Sequence, residues 1–166
     1  DIDPNRAKEQ VKNVSEVVRE GIQDVRGSLN RLRPGALEGR TLKDALEKTI
    51  REYQILSNLQ VDLNYEWIDV DMDVMIEDTI FRVIQESMTN AVRHGHASQL
   101  KLHFFEDKEN YLIALQDNGV GFETLTYGYG LKQMMERISI LGGQLQFESR
   151  DGFFTRVSLP KYKEGR

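Results

Sequence analysis

Cysteine is absent from the 166 residues, so disulfides, thiolate metal sites and cysteine nucleophiles are excluded together. That absence fits a reducing cytosol. Basic residues are also in short supply. The 22 Lys and Arg stand against 27 Asp and Glu, for a net charge of -5. A nucleic-acid binder would carry a basic face, so no nucleic-acid partner is expected. No apolar run approaches the roughly 20 residues a membrane-spanning helix needs, and no membrane contact is expected of this chain. The polar N-terminus has no signal-peptide pattern. Because it opens on Asp1 rather than Met, the chain reads as a fragment whose parent carries any targeting signals upstream. There is no internal repeat and no low-complexity tract. No Gly-x-x-x-x-Gly-Lys-Ser/Thr occurs, which excludes a P-loop. What is present is an ordinary globular balance, 39% hydrophobic and 30% charged, long enough for one well-packed domain plus an appendage.

Apolar spacing predicts one long helix over about Arg6 to Leu32, with Val11, Val14, Val18, Val25 and Leu32 as its stripe and Ile22 and Leu29 widening it. Gly21 and Ser28 on that stripe permit close approach of a partner helix, which an amphipathic helix of this length needs. Pro34-Gly35 ends it. Thr41, with Asp44 three residues on, predicts a capped second helix that runs through Leu42, Ala45, Leu46, Ile50 and Tyr53 toward Ser57. A strand over Val61 to Trp67 follows. A third helix is predicted from near Asp73 to about His94, with Ile76, Ile80, Val83, Ile84 and Ala91 on its apolar face. Strands over Leu100 to Phe105 and Tyr111 to Gln116 come next. A helix over Leu131 to Leu141 is closed by Gly142-Gly143, and two strands, Gln144 to Ser149 and Phe153 to Leu159, turn through Asp151-Gly152. Hairpin-joined strands with interspersed helices predict an α+β domain, its sheet antiparallel or mixed and its helices on one face.

Three short motifs carry the chemistry. In Gln85-Glu86-Ser87-Met88-Thr89-Asn90, residues Glu86, Asn90 and Arg93 stand at i, i+4 and i+7, so a carboxylate, an amide and a cation line one helical face with His94 at its edge. An amide oxygen is a hard ligand suited to Mg²⁺, and Arg93 and His94 could meet phosphate oxygens. The same spacing also suits a solvated face with an ion pair. In the second motif, Asp117 ends an apolar strand and Asn118-Gly119-Val120-Gly121 follows at once. A carboxylate fixed there can accept a hydrogen bond from an adenine amino group, and the glycines let the backbone turn close to a flat base. A plain glycine-rich turn has the same composition. In the third, Gly128-Tyr129-Gly130 opens into a helix whose free amides attract phosphate.

In this order the motifs resemble the GHKL family, the ATP-binding fold shared by sensor histidine kinases, type II topoisomerases, heat-shock chaperone ATPases and mismatch-repair ATPases. The closest resemblance is to histidine kinases of the nitrate-sensor-like subfamily. Gln85 to His94 resembles their N-box, Asp117 to Phe122 their G1 box, and Gly128-Tyr129-Gly130-Leu131 running on to Arg137 and Leu141-Gly142-Gly143 their G2 region. Leu29 to Pro34 resembles the end of their second dimerisation helix.

The resemblance implies a Bergerat α/β sandwich, a mixed, mostly antiparallel sheet covered by helices on one face and preceded by the long N-terminal helix. Residues 1–34 would be the second helix of a dimerisation hairpin, and 41–162 the catalytic domain. It implies ATP and Mg²⁺ as cofactors, with Asn90 as the metal ligand and Asp117 and Thr155 reading adenine. Glu86 would orient or polarise the reacting centre, with Arg93 and His94 near the phosphates. Gly119, Gly121, Gly128, Gly130 and Leu131 would shape pocket and lid. Only Glu123 to Gly128 separate Phe122 from Tyr129, so the lid is short. Where the family often has a second glycine before the threonine, Phe153-Phe154 stand instead.

The phosphoacceptor is not in this chain. The only histidines are His94, His96 and His103, all inside the nucleotide domain. The implied activity is transfer of the γ-phosphoryl of ATP to a histidine on a missing dimerisation helix, for relay to a response regulator receiver domain. The implied parent is a homodimeric, membrane-anchored sensor whose catalytic part is cytoplasmic. An anti-sigma-type serine kinase or a non-catalytic ATP-sensing and dimerisation module would share the site. His103 is expected to be a surface or satisfied residue, and Met134-Met135 to fill the core beneath the lid.

Overall fold

The structure, a computed structural model, describes residues 37, 39–67 and 72–161. The helix expected over 6–32 and its Pro34-Gly35 stop lie outside the described residues, as does the dimerisation segment 1–34. The first described helix, α1 (Leu42–Ser57), starts where its cap chemistry puts it. Thr41 Oγ1 accepts the Asp44 backbone N–H at 3.2 Å and donates to the Asp44 carboxylate at 2.8 Å. Asn58, in the left-handed region at φ 56°, ends it. Leu42, Ala45, Leu46 and Ile50 are buried, the expected apolar face.

Helix α2 (Val74–Arg93) is capped by Asp73, whose carboxylate accepts from Met75 N at 2.7 Å, and closed at His94. All five expected apolar positions are buried, and Thr79, Phe81 and Met88 join them. The stripe is wider than its spacing suggested because α2 meets α1 and also α3 (Tyr129–Ile140).

Five strands make one sheet: β1 (Gln60–Tyr65), β2 (Gln99–Glu106), β3 (Asn110–Asp117), β4 (Gln144–Ser149) and β5 (Phe153–Pro160). Their spatial order is β1-β2-β3-β5-β4. Only β1–β2 is parallel, with α2 as its crossover, and the other three pairings are antiparallel. Alternate residues are buried, Leu100-Leu102-Phe104, Ile113-Leu115-Asp117 and Thr155-Val157-Leu159. One sheet face therefore takes the helices and the other stays polar, with Lys101, Gln116 and Arg156 among its residues. The expected mixed sheet with helices on one face is what forms. Among the described residues no helix is long and apolar enough to cross a membrane.

Two local expectations need correction. The first strand stops at Tyr65, and Trp67 lies past its end, where the indole Nε1 donates to Phe105 O at 2.6 Å. There Trp67 is buried edge-on against Phe104, with Tyr65 and Tyr111 completing the cluster. Met134 is buried as expected, but Met135 is exposed, because consecutive helical positions diverge by about 100° and only one can face α2. His103 is the satisfied surface residue expected, its Nε2 2.7 Å from Glu66 Oε1.

Burial, aided by the nearby Glu77 carboxylate, raises the Tyr65 phenol from 10.0 to about 12. A raised phenol keeps its proton in the fold after the unfolded chain has lost it. Its stabilisation is complete below pH 10.0 and disappears as pH climbs toward about 12. The substitution Tyr65→Phe should therefore flatten the alkaline loss of stability. Thermal melts should show a wild-type Tm that falls faster than the variant's above that pH, and parallel declines would refute the assignment.

Candidate functional site

Asp117 ends β3, the central strand, with its side chain on the helix-covered face. It is 5% exposed. A buried carboxylate must be paired or hydrogen-bonded, and here two backbone amides do it. Gly119 N donates to Oδ1 at 2.8 Å and Phe153 N donates to the same oxygen at 3.0 Å. The other oxygen, Oδ2, accepts from no described residue. Thr155, 2% exposed, sits opposite Leu115 and so on the same sheet face as Asp117. Its hydroxyl has no partner among the described residues either. Both atoms still keep some contact with solvent, since the one fully buried side-chain polar atom without a partner among the described residues is Asp78 Oδ1. An acceptor and a hydroxyl are thus left open side by side.

The turn after Asp117 is tied down on both sides. Asn118 Oδ1 accepts from Ser98 N and Gln99 N, both at 2.9 Å, and its Nδ2 donates to Ser98 Oγ at 3.0 Å. Val120 N donates to Gly95 O at 3.0 Å, with Gly119 packed on Gly95, which anchors the turn to the end of α2. Gly121 packs against Ser149, whose Oγ accepts from Phe122 N at 3.0 Å. Phe153-Phe154 stand where a second glycine is expected, yet the backbone before them still comes close to Asp117. Gly152, at φ 127°, makes the close approach, and a Cβ there would lie 2.9 Å from Asp117 Oδ1 and 2.8 Å from its carbonyl carbon. Phe154 points to the opposite face, between Arg150 and Arg156.

On α2, Glu86 and Asn90 are half-buried one turn apart, and neither side chain has a hydrogen bond to a described residue. Gly130 brings the third motif to them. A side chain at 130 would run into the Glu86 carboxylate, so the start of α3 and the Glu86 face are in direct apposition. Gly128 caps α3 without a side-chain bond and has open space around it. The Tyr129, Gly130 and Leu131 amides have no intrahelical acceptor, which leaves a positive helix end beside Glu86. Residues 121–128 form a lid without a helix, with Tyr127 and Tyr129 exposed.

Of the remaining candidates, Arg93 is exposed, and its charge acts on the Tyr53 phenol. His94 uses its backbone N–H to cap α2 on Asn90 O while its ring is exposed, so the structure does not bring that ring to the other candidates. Two participants escaped sequence reasoning. Gly152 read only as a hairpin turn, its single signal being the Asp-Gly pair. Tyr53 read as apolar face, yet its hydroxyl meets Thr89 Oγ1 at 2.7 Å. Thr89 already donates to Gln85 O at 3.0 Å, so Tyr53 is the donor. Burial raises the Tyr53 phenol.

The family model for histidine kinase-, DNA gyrase B- and HSP90-like ATPases matches residues 75–163. The signal transduction histidine-protein kinase/phosphatase UhpB of Salmonella typhimurium is 35% identical over 147 residues, covering 85% of this chain and 29% of that protein. The sensor histidine kinase YxjM of Bacillus subtilis is 32% identical over 90% of this chain and 37% of its own length. The chain thus spans about a third of these curated relatives. Among solved structures, the Acinetobacter baumannii histidine kinase AdeS has the same fold, with a TM-score of 0.62 at 21% identity over 96% of this chain and 86% of that one.

Two glycines should part company under substitution. At Gly152 a methyl group meets backbone in a left-handed conformation, so Gly152→Ala should cost about 2 kcal/mol or more. Gly128 has extended backbone and free space, so Gly128→Ala should cost less than about 1 kcal/mol. Denaturant titration of both variants measures the gap, and equal costs would contradict the geometry.

Proposed function

The chain belongs to the family of histidine kinase-, DNA gyrase B- and HSP90-like ATPases, and on that premise we propose that it is the ATP-binding catalytic domain of a two-component sensor histidine kinase. It would deliver the γ-phosphoryl of ATP to a histidine on a dimerisation helix outside this chain, for relay to a receiver domain. Residues 1–34 would be the neighbouring dimerisation helix, and the parent a homodimeric, membrane-anchored sensor with this part in the cytoplasm. The names of the relatives support this reading. The observation that carries it is the half-satisfied Asp117. One oxygen is consumed by the fold, and the other is offered as a bare acceptor beside the Thr155 hydroxyl. Adenine presents an amino donor in that position, whereas guanine presents a carbonyl oxygen that would face the carboxylate acceptor to acceptor.

The chain's own groups suit the other end of the nucleotide. The uncapped amides at Gly130 and Leu131 attract phosphate oxygens, Gly128 and Gly130 leave them room, and Arg93 adds a cation at the end of α2. The residues present also fit Mg²⁺, because Asn90 offers an amide oxygen with no partner among the described residues, and this ion keeps most of its shell for water and phosphate. When bound, the ion would neutralise charge on the phosphates. Glu86, apposed to Gly130, would orient the incoming imidazole or take its proton. Catalysis then rests on positioning and charge neutralisation.

Calorimetric titration with ATP in Mg²⁺, with ATP in EDTA and with GTP tests the site. ATP should bind better than GTP and weaken in EDTA. The variant Asp117→Asn can keep Oδ1 for the two amides but turns an NH₂ toward the base, so ATP affinity should drop about a hundredfold. In Asn90→Ala, affinity in Mg²⁺ should fall to the EDTA value with thermal stability nearly unchanged. A folded Asn90→Ala protein with wild-type Mg-ATP affinity would sink the metal assignment. Phosphoryl transfer is read separately, by ³²P label on an acceptor helix supplied with the domain.

A further inference from the structure

We propose that Phe153 is a specificity-determining residue, the wall that closes the site at the amino edge of the base and excludes nucleotides with a bulky group on that nitrogen. The inference rests on the ATP reading above and deepens it. Its starting point is the hydrogen bond from Phe153 N to Asp117 Oδ1 at 3.0 Å, which puts this residue one bond from the carboxylate that takes the base amino group. Register decides where the ring goes. Thr155 lies opposite Leu115, and two residues along each strand Phe153 and Asp117 occupy the same sheet face. Carboxylate, hydroxyl and ring therefore share one surface.

The ring is also braced. Its centroid is 5.3 Å from Phe122 and 5.5 Å from Phe147, spacings at which aromatic pairs attract. Phe147 sits opposite Thr155 on β4 and extends the cluster toward Tyr127 of the lid at 6.4 Å. Phe122 is tethered through its backbone to Ser149. A ring held from two sides cannot swing away cheaply, because displacing it breaks two ring contacts together. An unsubstituted amino group needs only Asp117 Oδ2. A benzyl group on the same nitrogen must extend past that oxygen along the sheet face that Phe153 shares, and the proposed obstacle there is its ring. The next residue supplies an internal control. Phe154 faces the other side of the sheet, with the guanidinium carbons of Arg150 and Arg156 5.3 and 5.9 Å from its ring.

The test is competition between ATP and N6-benzyl-ATP on the whole chain, read by calorimetry, for wild type, Phe153→Ala, Phe153→Leu and Phe154→Ala. Wild type should favour ATP by about tenfold or more. Phe153→Ala should bring the two nucleotides within about threefold by gaining affinity for the analogue, while Phe154→Ala keeps the wild-type ratio. Thermal melts identify folded variants. If the alanine variant does not fold, Phe153→Leu, which keeps apolar bulk but loses the ring, should raise relative analogue affinity at least about threefold. Wild type that accepts both nucleotides equally, or a folded Phe153 variant with an unchanged ratio, overturns the proposal while leaving the ATP site intact. A folded wild type that binds neither nucleotide overturns the ATP reading and this one with it.

Discussion

One carboxylate oxygen, Asp117 Oδ1, is where the parts of this domain converge. It accepts the amides of Gly119 and Phe153, so a single acceptor joins the end of the central strand, the turn beyond it and the start of the neighbouring strand. Because both donors are backbone, neither bond depends on which side chain its donor residue carries, although Gly119, packed on Gly95, has no room for one. The arrangement also divides the labour within one side chain. Burial of the carboxylate is offset by Oδ1, and Oδ2 is left with an unmet preference that a ligand can satisfy. Binding and folding therefore draw on the same residue without competing for the same atom.

A second set of ties gives that oxygen its bearing on the Glu86–Asn90 face of α2. Asn118 clamps the turn to the start of β2 through Ser98 and Gln99, and Gly95 O holds Val120. Gly95 itself closes on Asn90 O, one residue beyond the His94 cap. The Glu86–Asn90 face of α2 and the Asp117 strand end are thus linked through main-chain bonds rather than long side chains. Rigid backbone links cost little entropy to maintain and keep the groups at both ends in register better than paired surface charges would.

Much of this was legible in the sequence, and the reasons are local. Thr41 and Asp73 announce their helices because capping is settled within four residues. Alternation in Leu100-Leu102-Phe104 and Ile113-Leu115-Asp117 names the buried face before any partner strand is known. The three motifs were visible as strings, and the fold brings Gly130 of the third against Glu86 of the first. What escaped depends on contacts distant in the chain. The donor role of Tyr53 exists only because α1 lies across Thr89, 36 residues away. Gly152 looked like an ordinary turn residue because its neighbour, Asp117, is set by strand order rather than by sequence. Phe154 looked like an obstacle until register sent it to the far face.

The strand order has one further consequence. Since β5 lies directly beside β3, everything from Asn118 to Gly152 is one excursion, out through turn, lid and α3 and back through the edge strand β4 before the chain returns beside β3. Its two ends are fastened together at Asp117 and Phe153. For a closed excursion of that kind the entropic cost of added length grows only logarithmically, by about 0.6 kcal/mol per doubling. Lid length is therefore a nearly free variable in this architecture. Insertions there can reshape access to the start of α3 over evolutionary time while the gateposts at its base stay where they are.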